Sequence, residues 1–249
     1  MFEFQSKVRY SEVDFREQLN MLGVVNYFQD CSNMQSDFVG GGVSNLHELN
    51  YAWVLCTWNI EVKRYPHLEE NITIGTFPYE YRGYFGRRNY YIKDDTGVII
   101  ASADSMWSLV DYKESKAVRI PEEISNAYTI EEKLPMNYNP KKIIVPKDLT
   151  YVGECKAMNH HLDANMHVNN SRFIEMLMDY VEPKDYTNLR VEYRNMARLG
   201  DVIKIYKASN NNVDDSDVCG NANRTDHSDA GDIFVMKCED RICTIMELT

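Results

Sequence analysis

The sequence predicts an α+β protein made of two similar units, and three observations carry that prediction. Aromatic residues reach 12 %, with 17 Tyr, a composition that suits extensive β-sheet better than a helical bundle. An order of strand, helix and strand run occurs twice along the chain. Between the two occurrences lies a charged, proline-bearing connector. At 249 residues the chain has room for one large domain or for two of about 125 residues each.

The first run opens with Met1–Tyr10, whose alternation of apolar and polar residues reads as a strand. Leu22–Val39 sets Val24, Val25, Phe28 and Cys31 at helical spacing, and Gly40-Gly41-Gly42 stops it. Tyr51–Tyr65, Ile72–Arg82, Arg87–Asp94 and Val98–Tyr112 follow as strands, divided by Pro66, Gly83, Gly86 and Gly97. Asp94-Asp95-Thr96-Gly97 is a hairpin turn signal. The first and last of these stretches are long for strands, which predicts bends or bulges.

Glu114 to Lys147 holds Pro121, Pro135, Pro140 and Pro146 and reads as the connector, with a short helix near Ile130–Leu134. The domain boundaries expected are 1–125, a linker over 126–147, and 148–249. In the second run Leu149–Met158 is a strand, Val168–Tyr180 a helix, Leu189–Met196 and Asp201–Ala208 strands, and Ile233–Glu239 with Ile242–Leu248 a closing hairpin. A faint echo matches Leu19–Phe28 to Ala164–Phe173, pairing Asn20 with Asn165, Met21 with Met166 and Phe28 with Phe173. Each half is expected to fold its sheet around its helix. The Asp- and Asn-rich segment 209–232 lacks the spaced Gly and terminal Glu of a calcium loop at Asp214-Asp215-Ser216-Asp217, so a solvated excursion is the plainer reading.

Charge narrows the function. A formal net charge of −11 opposes a general nucleic-acid binder, which needs a basic surface. No window approaches the roughly 18 to 20 consecutive apolar residues that span a bilayer, and Met1–Tyr10 lacks the apolar stretch of a signal peptide. The six cysteines form no CxxC pair, so reduced thiols in the cytoplasm are expected, with no metal site and no cofactor.

The chemistry-bearing stretch is Asp163-Ala164-Asn165-Met166-His167-Val168-Asn169-Asn170, at the junction of a strand and a helix. If it stays extended, Asp163, Asn165 and His167 share one side, because side chains alternate with a period of two. A carboxylate, a carboxamide and an imidazole then converge without help from elsewhere. Asn169, Asn170 or Ser171 is placed to cap the helix, whose first amides suit a developing oxyanion. The bland alternative is a polar turn whose side chains cap backbone groups.

Asp-x-Asn-x-His-Val-Asn-Asn followed by an aromatic residue and a helix resembles the signature of the acyl-acyl carrier protein thioesterases. Arg9-Tyr10-Ser11-Glu12-Val13-Asp14, Asn26-Tyr27-Phe28-Gln29-Asp30, Trp107 and Arg119-Ile120-Pro121 are similar to the same family, out to about Asp201. The resemblance implies a tandem hotdog fold, two curved antiparallel sheets each wrapped around a long helix. It implies that the first unit holds the acyl chain, that the second is catalytic through Asp163, Asn165 and His167, and that the partner is an acylated acyl carrier protein. Association of two chains is a further expectation left open. One position departs from the pattern: Met196 stands where the family commonly has Glu, and Ala197 where plant members have Cys, which excludes a cysteine nucleophile there. Glu192, Asp14 and Glu175 are the candidate substitutes, Glu192 lying roughly 13 Å from Met196 along a strand. Hydrolysis of acyl-coenzyme A, a hotdog dehydratase and a non-catalytic acyl-binding module are the rival readings. A carrier protein is itself acidic, so Arg82, Arg87 and Arg88, or Arg194, Arg198 and Lys204, are the candidate basic patches.

Cys155, His160 and His161 adjoin the signature. Cys155 reads as a small buried hydrophobe, and neighbouring histidines on a strand point to opposite faces. Trp53, Trp58 and Trp107 read as sheet faces.

Overall fold

The computed structural model describes residues 1–114, 116–139, 141–208 and 231–249, so most of the Asp- and Asn-rich segment lies outside the described residues. The chain divides into two units, Met1–Pro140 and Lys141–Thr249. In the first, β1 (Phe2–Lys7) leads through a 3₁₀ turn (Tyr10–Glu12) to α1 (Met21–Phe38) and α2 (Val43–Glu48). The strands β2 (Tyr51–Val62), β3 (Asn71–Arg82), β4 (Phe85–Lys93) and β5 (Ile99–Asp111) follow, then β6 (Lys116–Ala117) and α3 (Glu122–Asn126). All pairs are antiparallel, in the order β1, β3, β4, β5, β2, with β6 on β5.

The second unit repeats this plan. It comprises β7 (Leu149–Lys156), a 3₁₀ turn (Asn159–His161), α4 (Asn170–Met178), β8 (Asn188–Tyr193), β9 (Val202–Ala208), β10 (Asp232–Cys238) and β11 (Arg241–Leu248). Its antiparallel order is β7, β9, β10, β11, β8.

The expected long strands do break register, β2 between Leu55 and Thr57. At the hairpin after β4, Asp94 Oδ1 accepts from Thr96 N–H at 3.0 Å and Val98 N–H at 3.0 Å, and Gly97 takes φ +85°, the left-handed region glycine tolerates. One expectation fails, and one short helix is unforeseen. No helix forms at Ile130–Leu134; the connector's helix is α3, which Pro121 precedes in extended geometry with two Glu in its first turn. The triple glycine ends α1 but also precedes α2, a six-residue helix too short to show a periodic apolar face.

The first unit's core lies where α1 meets the sheet. Phe28 of α1 packs against Trp58 at 6.2 Å and Tyr90 at 5.3 Å between ring centroids, and all three side chains are buried. Each such side chain contributes about 1.5–3 kcal/mol relative to an exposed one. Gly75 is required by close approach, since a Cβ there would lie 2.1 Å from Tyr91 Cζ. In the second unit Phe173 of α4 faces Tyr193 at 6.4 Å, and the Tyr193 hydroxyl donates to the Asn170 carbonyl at 3.0 Å, which pins the start of α4 to β8.

Candidate active site

The signature does not stay extended. It doubles back between two short bridges, Leu162 with Val168 and His167 with Arg198. Asp163 N–H donates to the His167 carbonyl at 2.8 Å, and Met166 N–H donates to the Asp163 carbonyl at 3.0 Å. Met166 closes the turn at φ +62°, a conformation that non-glycine residues adopt only when neighbouring bonds hold it. The Asp163 carboxylate supplies those bonds: its Oδ1 accepts from Asn165 N–H at 2.8 Å and from His167 N–H at 3.2 Å. Period-two alternation is therefore lost, and the three residues are gathered by the turn instead. Asp163 and His167 are half-buried and Asn165 is exposed. Among the described residues no hydrogen bond joins the three side chains to one another.

The same turn occurs in the first unit. Asp14 Oδ1 accepts from Arg16 N–H at 2.8 Å and Gln18 N–H at 3.4 Å, Asp14 N–H donates to the Gln18 carbonyl at 2.9 Å, and Glu17 takes φ +59°. Asn20 and Asn169 then cap α1 and α4 through Gly23 N–H and Ser171 N–H. Asp14 thus corresponds to Asp163, Gln18 to His167, and Asn20 to Asn169. The echo read from sequence, Asn20 with Asn165, was out of register by about one helical turn, because the shared feature is the capped turn rather than the apolar helix face.

The two turns differ at one atom. In the first unit the Arg16 side chain closes on Asp14 Oδ2, with Nε at 2.9 Å and Nη2 at 2.7 Å. In the second unit Asn165 stands in place of Arg16, and Asp163 Oδ2 has no hydrogen-bond partner among the described residues. One oxygen of Asp163 builds the fold and the other is left available for chemistry.

Of the amides opening α4, Ser171 N–H goes to Asn169 Oδ1 at 3.0 Å and Arg172 N–H to the Asn169 carbonyl at 2.9 Å. That leaves Asn170 N–H and the Asn165 carboxamide as the donors available for an oxyanion. The segment after β8 borders the turn, since Val168 N–H donates to the Ala197 carbonyl at 2.9 Å. Met196 lies there beyond the strand end, 52 % exposed, so it does not share a strand face with Glu192.

Each of the three candidate substitutes for the family Glu already has a partner. Glu192 accepts from Ile143 N–H at 2.6 Å and from Arg194 at 2.8 Å, Glu175 pairs with Arg172 at 2.8 Å, and Asp14 is closed by Arg16. His160 and His161 sit on a 3₁₀ turn, not a strand, with ring centroids 4.0 Å apart. Burial, and then His160, hold the His161 imidazole below its ordinary 6.5, so its neutral Nδ1 accepts from Met158 N–H at 3.0 Å. Cys155 is half-buried, with its Sγ 3.8 Å from the Tyr180 hydroxyl.

The first basic patch is largely spent internally. Arg87 pairs with Asp104 at 3.1 Å and Arg88 is buried, leaving Arg82 exposed. In the second unit Arg194 pairs with Glu192, while Arg198 and Lys204 are exposed. An open groove of about 640 Å³ in the first unit is lined by Tyr79, Arg87, Lys133 and Tyr138 among others and includes none of the signature residues. No group of described residues meets the needs of a metal ion, and no described helix is long and apolar enough to cross a membrane.

Comparison with known proteins places the fold. A solved acyl-ACP thioesterase of Bacteroides thetaiotaomicron matches with a TM-score of 0.83 at 22 % identity, over 99 % of this chain and 96 % of that one. The 12:0-ACP thioesterase of Umbellularia californica matches with a TM-score of 0.81 at 17 % identity, over 99 % and 95 %. These likenesses show the fold, a large antiparallel sheet with few helices that fits the hotdog type. An oleoyl-acyl carrier protein thioesterase of Arabidopsis thaliana is 26 % identical over 81 % of this chain and 62 % of its own length. A chloroplastic acyl-[acyl-carrier-protein] hydrolase of Cuphea viscosissima is 24 % identical over 78 % and 52 %, so the chain spans about half the length of such curated relatives. The family model for the acyl-ACP thioesterase N-terminal domain matches residues 1–128 and that for the C-terminal domain residues 146–233; the chain belongs to the acyl-ACP thioesterase family.

Proposed function

We propose that this protein hydrolyses fatty acyl thioesters carried on acyl carrier protein, releasing the free fatty acid. In this reading the two units are tandem hotdogs with boundaries near 125 and 148, the first holding the acyl chain and the second carrying the chemistry. The observation that supports it most is the open Oδ2 of Asp163, on a carboxylate fixed through its other oxygen. Asp163 Oδ2 takes a proton from water as the water oxygen attacks the thioester carbonyl. Asn170 N–H and the Asn165 carboxamide stabilise the tetrahedral oxyanion, and His167 borders the water and orients it. The C–S bond then breaks. The leaving thiolate has a conjugate acid near pKa 8.5, so it needs little protonation, and a site without the family Glu suffices. The five described cysteines are unpaired, which favours a reducing compartment such as the cytoplasm.

The test is free-thiol release from acyl groups of several lengths on carrier protein and on coenzyme A. Release from the carrier substrates alone supports the proposal. Release from coenzyme A alone moves the activity to that carrier. New enoyl absorbance from a 3-hydroxyacyl substrate without thiol makes it a dehydratase, and tight binding without turnover makes it an acyl-binding module.

A further inference from the structure

The first unit buries a cation without an anion to match it. Arg88 of β4 is 8 % exposed. Its Nη1 donates to Gln35 Oε1 of α1 and to Thr76 Oγ1 at 3.4 Å, and the Tyr128 ring lies 5.4 Å from its guanidinium carbon. No described carboxylate pairs with it, and Nε and Nη2, which have no acceptor among the described residues, are not buried but reach solvent. Those two nitrogens form the edge of a guanidinium that takes a carboxylate in bidentate fashion. A charge this largely buried is costly, and the Gln35 and Thr76 oxygens with the Tyr128 ring offset that cost without supplying an opposite charge.

A second unmet donor lies in the same row of the sheet. Ser105 of β5 is the cross-strand partner of Arg88 on one side and of Trp58 on the other, so the three share a face, with Trp58 and Arg88 about 10 Å apart. Trp58 Nε1 is buried without an acceptor, while its ring packs on Phe28 of α1. Ser105 Oγ already receives Trp107 Nε1 at 2.8 Å. The packing of α1 on the sheet thus leaves two polar groups, the outer edge of the Arg88 guanidinium and Trp58 Nε1, without an acceptor among the described residues.

We infer that the first unit selects an acyl chain whose far end carries a carboxylate, with Arg88 as the residue that determines this specificity. The inference rests on the acyl-thioester reading of the protein, but it is tested by binding, without turnover. The probes are monomethyl suberate and methyl octanoate, which share an ester end and differ in the distal carboxylate, titrated calorimetrically into the full-length protein. Monomethyl suberate is expected to bind at least about tenfold more tightly, the scale of one charge-assisted bidentate contact. Arg88→Met is expected to abolish the difference, with a thermal melt confirming that it folds. Arg88→Lys, which keeps the charge and loses the fork, is expected to weaken monomethyl suberate binding severalfold and leave methyl octanoate unchanged. Equal affinity of the two probes for the wild type overturns the inference, as does an unchanged preference in Arg88→Met. Should Arg88→Met not fold, an unchanged preference in Arg88→Lys overturns it. A preference for monomethyl suberate in a protein that hydrolyses no thioester upholds this inference and removes the hydrolase reading.

Discussion

Replacing Asp163 in two ways separates its two oxygens. Asp163→Ala removes the acceptor of both the Asn165 and His167 amides and leaves Met166 in a left-handed conformation with less to hold it. Two such bonds together contribute about 2 kcal/mol, which in a chain of this size lowers the melting temperature by about 4–8 °C. Asp163→Asn keeps an oxygen in the Oδ1 position, and Asn tolerates this kind of turn, so the melting temperature stays within about 2 °C of wild type. The amide cannot take a proton from water, so thiol release falls by about 10²–10⁴-fold. The assay is a thermal melt beside a thiol-release rate on the same preparations. Wild-type turnover in Asp163→Asn, or equal loss of stability in both variants, refutes the division of labour between the two oxygens.

Other outcomes follow from the same structure. Asp14→Asn breaks the pairing with Arg16 and is expected to change thiol release by less than about twofold, since that turn serves only the fold; melting and rate measurements check it. Met196→Glu places a carboxylate at a half-exposed position beside the turn and is expected to raise turnover about tenfold at unchanged stability. His161 titrates lower in the fold than its ordinary 6.5. The unfolded chain therefore binds the proton first, and this contribution to stability is complete above 6.5 and lost as pH falls below it; urea midpoints across that range should lose this slope in His161→Gln. Gly75→Ala drives a methyl into the Tyr91 ring and should cost about 1–3 kcal/mol by denaturant titration.

The strands are legible because aromatic and β-branched runs are punctuated by Pro66, Gly83 and Gly97, whereas Gly86, expected to divide two strands, lies inside β4. What escaped the sequence was local geometry set by capping. Nothing about Met166 or Glu17 announces a left-handed conformation, so spacing leaves both an extended segment and a polar turn open at Asp163, and the turn is what forms. The correspondence of the two units was misplaced for the same reason: Asn20 and Asn169 share a capping role, whereas Asn20 and Asn165 share only a neighbourhood of apolar residues. The signature singles out Asp163 as a candidate, but the contrast between Asp163 and Asp14 depends on what Arg16 touches, which spacing alone does not contain. Arg88 belongs in the sequence to a candidate basic patch, but strand alternation turns it inward and Arg87 toward Asp104.

The most direct test is one turnover of acyl carrier protein thioester in ¹⁸O-labelled water, with mass analysis of the released acid and of the peptide bearing Asp163. Water activated by Asp163 puts the label in the fatty acid and none in the peptide. Label in the Asp163 carboxylate, with unlabelled acid released, would instead reveal a covalent mixed anhydride, and label in neither the acid nor the peptide would contradict hydrolysis itself.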